Sequence, residues 1–148
     1  MFRKYLSLLL LSAALATGAA TATAQDERAY TEGAVVIVSY IRTEPGMFDD
    51  YMRYLSSTYK KLMDEQKKAG IIMEYGVYGA EPRNETDPDL ILTITYKNFA
   101  ALDNLAERAD PIERKVWSSL AKANEAELSR GKLRTQVGGQ TLRQLILK

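Results

Sequence analysis

The sequence Ala34-Val-Val-Ile-Val-Ser-Tyr-Ile41 decides the fold. Its β-branched residues occupy both alternating faces, which is typical of a strand that is covered on both sides at the centre of a sheet. The segment Arg42-Thr-Glu-Pro-Gly46 then breaks the strand. We therefore expect the next segment to pack on this sheet.

The residues after this break predict one long helix that ends at Gly70. Its apolar side chains recur at spacings of three and four, which defines one face of a helix. Two aspartates in the first turn and two lysines in the last complement the helix dipole. Gly70 is expected to end the helix in the left-handed conformation. The apolar face consists of Phe48, Tyr51, Met52, Leu55, Tyr59, Leu62 and Met63.

Three further strands are predicted after this helix. They are Ile71–Gly79, Leu90–Tyr96 and, near the end of the chain, about Thr141–Leu147. The loop Glu81–Asp89 contains two prolines and separates the first two strands, so these are expected to form an antiparallel hairpin. Gly138-Gly139 lacks the spacing of a phosphate-binding loop and is predicted to be a turn.

Two helices are predicted between the hairpin and the last strand. Asn98 is a suitable N-cap for a short helix, Phe99–Glu107. A second helix is expected to begin at Asp110-Pro111, because a proline in the first turn loses no hydrogen bond, and to end at Gly131. Its apolar stripe consists of Ile112, Val116, Trp117, Leu120, Ala121, Ala123 and Leu128.

The predicted order of elements is β-α-β-β-α-β. Right-handed crossovers place both helices on one face of a four-stranded antiparallel sheet, which is the ferredoxin-like arrangement of the α+β class. The other face of the sheet needs a cover, and the chain has no predicted element left to supply one. The sequence therefore predicts that two copies of the chain pack together as a homodimer.

The N-terminal residues predict a signal peptide. Arg3 and Lys4 precede an apolar run of about ten residues, and Ala22-Thr-Ala24 is suitable for cleavage before Gln25. Because a membrane span needs about 20 apolar residues, an uncleaved anchor is the weaker alternative. The expected layout is a signal peptide at 1–24, a flexible lead-in at 25–32 and a single domain at 33–148. The protein would be exported, periplasmic or secreted, and free of the membrane after cleavage.

Charge and composition exclude several classes of function. Without the leader, the chain has 18 basic and 19 acidic side chains, so its charge gives no support for a nucleic-acid or anionic-membrane partner. The sequence contains no histidine and no cysteine. This excludes Ser-His-Asp and Cys-His catalysis, histidine-bound haem, and zinc sites built on imidazole or thiolate. No metal or cofactor is predicted.

Polar side chains on the predicted strands form the candidate ligand site. A buried glutamate that faces an arginine could clamp a ligand, or act as a general base whose pKa burial has raised. Alternatively, these groups pair with one another across a dimer interface and bind nothing. Trp117, on the last helix, is either a core residue or the wall of a pocket. The strand residues of the site are Tyr40, Arg42, Glu74, Tyr78, Thr93 and Thr95.

The chain from Ala34 to Leu147 resembles the dimeric α+β barrel superfamily, which includes antibiotic-biosynthesis-type monooxygenases and several groups of unknown function. The resemblance rests on Tyr40-Ile-Arg-Thr-Glu-Pro-Gly46 before a long helix, and on Thr95-Tyr-Lys-Asn-Phe-Ala-Ala-Leu102 at the start of the second helical region. It implies that two sheets pack face to face. It also implies a pocket in each subunit between the sheet and its own helices. Exported members without a known activity offer the nearest comparison.

Two functions follow as hypotheses. The first is a homodimer without catalysis that binds a small, partly apolar molecule or has a purely structural role. The second is a cofactor-independent, monooxygenase-like enzyme that acts on a small aromatic substrate through Tyr40, Arg42, Glu74 and Trp117. The resemblance permits the second, because some oxygenase members use neither metal nor flavin. An enclosed cavity lined by Glu74 and Arg42 without a salt bridge between them would favour the enzyme, and a filled sheet interface would favour the first hypothesis.

Overall fold

In a computed structural model, the described residues are 28–148, and the predicted signal peptide lies outside them. The strands are β1 Tyr30–Thr43, β2 Glu74–Gly79, β3 Leu90–Tyr96 and β4 Arg134–Leu147. The helices are α1 Phe48–Tyr54, α2 Lys60–Lys68, α3 Leu105–Trp117 and α4 Leu120–Gly131. A π-helical turn, Leu55–Tyr59, joins α1 to α2, and a 3-10 turn occupies Phe99–Leu102. No helix of residues 28–148 is long and apolar enough to cross a membrane.

The four strands form one antiparallel sheet in the order β2-β3-β1-β4. The predicted central position of β1 is confirmed, since it pairs with β3 on one side and with β4 on the other. β2 and β3 form the predicted antiparallel hairpin. With the helices on one face, this order confirms the ferredoxin-like α+β fold.

The hydrophobic core lies between this sheet and the helices. Ile41 on β1 and Leu90 on β3 are almost fully buried against side chains of α1 and α2. Full burial of one such side chain stabilises the fold by about 1.5–3 kcal/mol. The core cluster consists of Ile41, Tyr51, Leu55, Tyr59, Met63, Ile71, Ile72, Leu90, Leu92 and Tyr96.

The π-helical turn keeps one row of side chains on the core. Tyr51, Leu55, Tyr59 and Met63 are buried and lie four residues apart. In a regular α-helix, each step of four residues advances roughly 40° around the axis. The wider turn at Leu55–Tyr59 offsets this advance. All four side chains therefore face the sheet.

The helices after β3 begin at different residues from those predicted. Asn98 is confirmed as a cap, because its side chain accepts a hydrogen bond from the backbone N–H of Ala101 at 3.0 Å. The prediction that a helix begins at Asp110-Pro111 is wrong, since Pro111 lies inside α3. The apolar side chains of Leu105 and Ala109 extend the core-facing stripe back through the proline. The stabilisation from burying these two side chains offsets the loss of the backbone hydrogen bond that proline cannot donate.

The second helical region breaks between α3 and α4, where no break was predicted. Ser118 has a φ of +68°, in the left-handed region. Ser119 then caps α4 by accepting a hydrogen bond from the backbone N–H of Lys122 at 3.2 Å. Leu128, predicted to lie in the buried stripe, is 73% exposed, because the break rotates α4 relative to α3.

β1, β2 and β4 each begin at a different residue from the one predicted. β2 begins at Glu74 rather than at Ile71, because Ile71 and Ile72 are both buried in the core before pairing starts. β1 begins at Tyr30, where its first residues pair with the end of β4, and thus includes part of the predicted lead-in. Gly70 ends α2 with a φ of +70°, as predicted.

β4 is longer than predicted and begins at Arg134. Gly138-Gly139 is therefore not a turn but part of this strand, beside a bulge in its pairing with β1. A Cβ on Gly139 would lie 2.8 Å from the carbonyl oxygen of Val38. A glycine is required here because β1 approaches closely. The sequence pattern of β4 alone does not indicate this approach.

Candidate functional site

Six of the seven predicted ligand residues lie on the sheet face away from the helices, which we call the open face. Directly opposed residues of antiparallel strands share a face. Thr95 lies opposite both Glu74 and Val36, and Thr93 lies opposite Val38. The six residues are Tyr40, Arg42, Glu74, Tyr78, Thr93 and Thr95.

The open face does not contain the expected pair of Arg42 and Glu74. Arg42 donates a hydrogen bond from Nη1 to the backbone oxygen of Glu85 at 2.7 Å. Glu74 is exposed and accepts a hydrogen bond from Lys67 at 2.7 Å, which lowers the pKa of the glutamate. A carboxylate with a lowered pKa is a poor general base.

Trp117, the seventh predicted residue, lies on the helix side of the sheet. It is half-buried in a cleft of about 350 Å³, which also contains Tyr54, Glu113 and Arg130. Burial raises the pKa of Glu113, and the nearby carboxylates add to the effect. Within one chain, the sheet separates Trp117 from the other six predicted residues.

The open face carries exposed apolar side chains among its polar groups. Tyr78 is 56% exposed, Leu142 is 46% exposed and Ile146 is 49% exposed. Leu142 lies directly opposite Val36 on the neighbouring strand. Exposed apolar side chains grouped on one face are typical of an interaction surface rather than of a catalytic centre.

A more enclosed site lies between the sheet and the helices, as a pocket of about 140 Å³. We call it the arginine–tyrosine pocket. Its apolar wall comes from β1 and β3, and its polar side chains come from β1, the π-helical turn, the end of α4 and the start of β4. The residues that line it are Ile37, Ser39, Ile41, Tyr59, Leu92, Ile94, Arg130, Arg134 and Gln136.

Three buried hydrogen-bond donors line this pocket without a partner among the described residues. They are the hydroxyl of Tyr59 and the Nε atoms of Arg130 and Arg134. The buried hydroxyl of Tyr51 lies near Arg134 but does not line the cavity. Tyr51 is fully buried and Tyr59 is 5% exposed. Leaving a buried donor unsatisfied costs about 1–3 kcal/mol, and folded proteins seldom leave such groups unpaired.

The tyrosine hydroxyls stay protonated at ordinary pH. Burial raises the pKa of Tyr59, and it also raises that of Tyr51 against the opposing charges of Arg134 and Arg130. A protonated hydroxyl can donate a hydrogen bond, whereas a phenolate cannot. Tyr59 therefore adds a hydroxyl donor to those of Arg130 and Arg134 at the pocket.

The two arginines differ in how their charge is balanced. Arg130 forms an ion pair with Glu127, and its guanidinium lies 5.9 Å from the centre of the Tyr54 ring. Arg134 contacts Gln136 at 3.5 Å, and no carboxylate of residues 28–148 lies within ion-pair distance of it. The pocket therefore has an excess of about one positive charge.

Two other features of the described residues bear on ligand binding. A broad cleft of about 560 Å³ near the end of α2 contains Lys97 and Arg108, but its cations are solvated. In the described part of the chain, no three His, Cys, Asp or Glu side chains group together as metal ligands. The cations of the broad cleft are less buried than the polar groups of the arginine–tyrosine pocket.

The polar residues of this pocket carry little signal in the sequence. The spacing of the first helix predicts Tyr51 and Tyr59 as core residues, and no motif indicates Arg130 or Arg134. The two arginines flank the junction of α4 and β4, far along the chain from the tyrosines. The one sequence signal was the repeated spacing of four, which places both tyrosines in one row.

Comparison with protein-family models finds no match, and neither does comparison with curated proteins. Solved structures do match in fold. HapK from Hahella chejuensis is 12% identical, with a TM-score of 0.53 over 74% of this chain and 91% of that chain. A dimeric ferredoxin-like protein from an uncultured marine organism is 13% identical, with a TM-score of 0.50 over 80% of this chain and 98% of that chain. These likenesses show the fold alone, which is an α+β arrangement of ferredoxin-like topology.

Proposed function

We propose that the protein is an exported homodimer that binds a small, partly apolar molecule in the arginine–tyrosine pocket. The observation that carries this proposal is the group of three unpartnered buried donors, from Tyr59, Arg130 and Arg134, that line one cavity. A ligand with acceptor oxygens would satisfy these donors. The apolar wall from Ile37, Leu92 and Ile94 would hold the rest of the molecule.

The open face supports the dimer. A second copy laid on it would cover Tyr78, Leu142 and Ile146, which are each about half exposed in one chain. It would also surround the polar residues of that face, which then pair or bind within the interface. One of the solved structures with this fold is described as dimeric.

The oxygenase alternative has less support. It combined Tyr40, Arg42 and Glu74 with Trp117, and the sheet separates the tryptophan from the other three. The carboxylate of Glu74 is exposed and bound to Lys67, so it lacks the raised pKa of a buried general base. Binding without catalysis is the simpler assignment for the pocket.

Export is proposed from the leader sequence. The apolar run after Arg3 and Lys4 and the small residues before Gln25 are the supporting features. Intact mass of the protein from an exporting host tests it. We expect a mature chain that begins at Gln25, and a protein that retains residues 1–24 in the membrane fraction would contradict export.

Native mass spectrometry of the protein purified from exporting cells tests the function. We expect a dimer that carries an additional small mass, which denaturing conditions release. The variant Tyr59→Phe should reduce the retained mass, whereas Arg108→Gln, in the separate broad cleft, should not. A chain that retains no small molecule, and whose melting temperature no small molecule raises, would contradict the proposal.

A further inference from the structure

We infer that the arginine–tyrosine pocket selects a compact monocarboxylate with one aromatic or similarly sized apolar group. This inference rests on the proposed binding function and specifies its ligand class. It depends on three properties of the pocket, which are its charge, its arrangement of donors and its size.

The charge of the pocket matches a single anion. Glu127 balances Arg130, and no described carboxylate balances Arg134. Arg134 is half-buried, with its Nε atom buried, and a bound monoanion would pair with its guanidinium. A dianion would leave one negative charge unbalanced in the same enclosed space.

The donors match a carboxylate in number and kind. A carboxylate has two oxygens that accept about four hydrogen bonds, and the guanidinium of arginine pairs with it through two parallel bonds. Tyr59 supplies a neutral hydroxyl donor that remains protonated. A neutral amide would place its own N–H donors opposite the donors of the pocket, and two donors cannot form a hydrogen bond with each other.

The size of the pocket limits the rest of the ligand. Its volume is about 140 Å³. An apolar cavity of about 150 Å³ admits benzene, so one ring is the expected upper size. Ile37, Leu92 and Ile94 form the apolar wall against which such a ring would pack.

Isothermal titration calorimetry with benzoate, benzamide and phenyl phosphate tests this ligand class. We expect benzoate to bind the dimer at least about tenfold more tightly than benzamide or phenyl phosphate, because only benzoate supplies a monoanion without added donors. Equal or tighter binding of benzamide or of phenyl phosphate would overturn the inference.

Two variants locate the carboxylate. Arg134→Gln should weaken benzoate binding at least about tenfold and reduce the preference over benzamide. Tyr59→Phe tests the same pocket if the arginine variant fails to fold, and should also weaken benzoate. Arg108→Gln is the matched control and should bind as the unmodified protein does. Unchanged affinity in both pocket variants would overturn the inference.

The failure of the ligand class is distinguishable from failure of the function. If a neutral molecule is retained in native mass spectrometry and Tyr59→Phe releases it, the pocket binds ligands but the monocarboxylate assignment is wrong. If no molecule is retained and none of the three probes binds, both proposals are wrong.

Discussion

Tyr59 combines a stabilising ring with a destabilising hydroxyl. Its ring packs edge-on against Tyr75, with 5.9 Å between centroids, and belongs to the core. Its hydroxyl is buried without a partner. Removing only the oxygen therefore separates the contribution of the residue to packing from its contribution to binding.

The variant Tyr59→Phe should leave the free energy of unfolding unchanged or raise it by about 1 kcal/mol, because an unsatisfied buried hydroxyl is removed. Tyr75→Phe is the matched control. The hydroxyl of Tyr75 donates to Asp64 at 2.8 Å, so its loss should lower stability by about 0.5–1.5 kcal/mol. Urea unfolding of the ligand-free variants measures both, and a larger loss in Tyr59→Phe than in Tyr75→Phe would contradict the assignment.

Because Tyr59 is buried, we expect the protein to lose stability at high pH. Burial raises the pKa of Tyr59, whereas the unfolded chain titrates near about 10. Below about pH 9 the hydroxyl keeps its proton in both the folded and the unfolded state, so the free energy of unfolding does not change with the titration of this group. Above about pH 10 only the unfolded state releases it, and the free energy of unfolding falls by up to about 1.4 kcal/mol per pH unit.

Urea unfolding between pH 8 and about pH 11 measures this loss. The unmodified chain should lose stability more steeply than Tyr59→Phe, in which one titrating group is removed. The comparison isolates Tyr59 from lysines that titrate in the same range. Identical slopes in the two proteins would show that the hydroxyl is not protected from titration.

Among the elements, β1 could be predicted because its composition alone requires burial on both faces. The helix boundaries between β3 and β4 could not. Pro111 favours a helix start locally, but packing of Leu105 and Ala109 on the core overrides that preference. Ser118 carries the left-handed conformation at the break, although serine gives no strong sequence signal for it.

The pairing of β1 with β4 predicts that replacing two adjacent glycines by alanine changes the free energy of unfolding by different amounts. A Cβ on Gly139 would meet the backbone oxygen of Val38 at 2.8 Å, and a backbone atom cannot move aside without disturbing the sheet. Gly139→Ala should therefore lower the free energy of unfolding by roughly 1–3 kcal/mol.

Gly138→Ala is the matched control. Its Cβ would lie 3.4 Å from the ring of Tyr40, an ordinary contact, so stability should change by no more than about 0.5 kcal/mol. Thermal or urea unfolding of the two variants gives the comparison. An equal effect at Gly138 and Gly139 would contradict the close approach of the strands.

For the whole molecule, the sequence predicted an open face, and the family resemblance implied a pocket between the sheet and the helices, but neither indicated the polar residues of the arginine–tyrosine pocket. Strand alternation places Glu74, Thr93 and Thr95 on one face by a local rule. The pocket instead joins Tyr59 to Arg134 through the complete chain fold, and no local period relates them. The predicted site residues therefore mark the proposed dimer surface, while the unpartnered donors lie behind the sheet.

The open face predicts that a single charge weakens the dimer. Leu142→Asp would place a carboxylate among apolar side chains in the interface, and the dimer dissociation constant should rise at least about tenfold. Because Leu142 is 46% exposed in one chain, the subunit should still fold.

Analytical ultracentrifugation of the variants measures the change. Leu128→Asp is the matched control, because Leu128 is 73% exposed on α4, on the helix side of the sheet. It should leave the dimer intact. Loss of the dimer in Leu128→Asp, or its persistence in Leu142→Asp at low concentration, would place the interface elsewhere.

The π-helical turn makes the length of the first helical region a determinant of ligand recognition. Deleting Ser57 would let Leu55–Tyr59 close into a regular α-helix, and Tyr59 would then follow Tyr51 by seven residues, which is roughly two full turns. Both tyrosines would keep facing the sheet. A second deletion would have no wider turn to absorb it, and every residue beyond it would swing by roughly 100° around the axis relative to Tyr51. The helix could survive that second shortening, but the two tyrosines would no longer lie in one row.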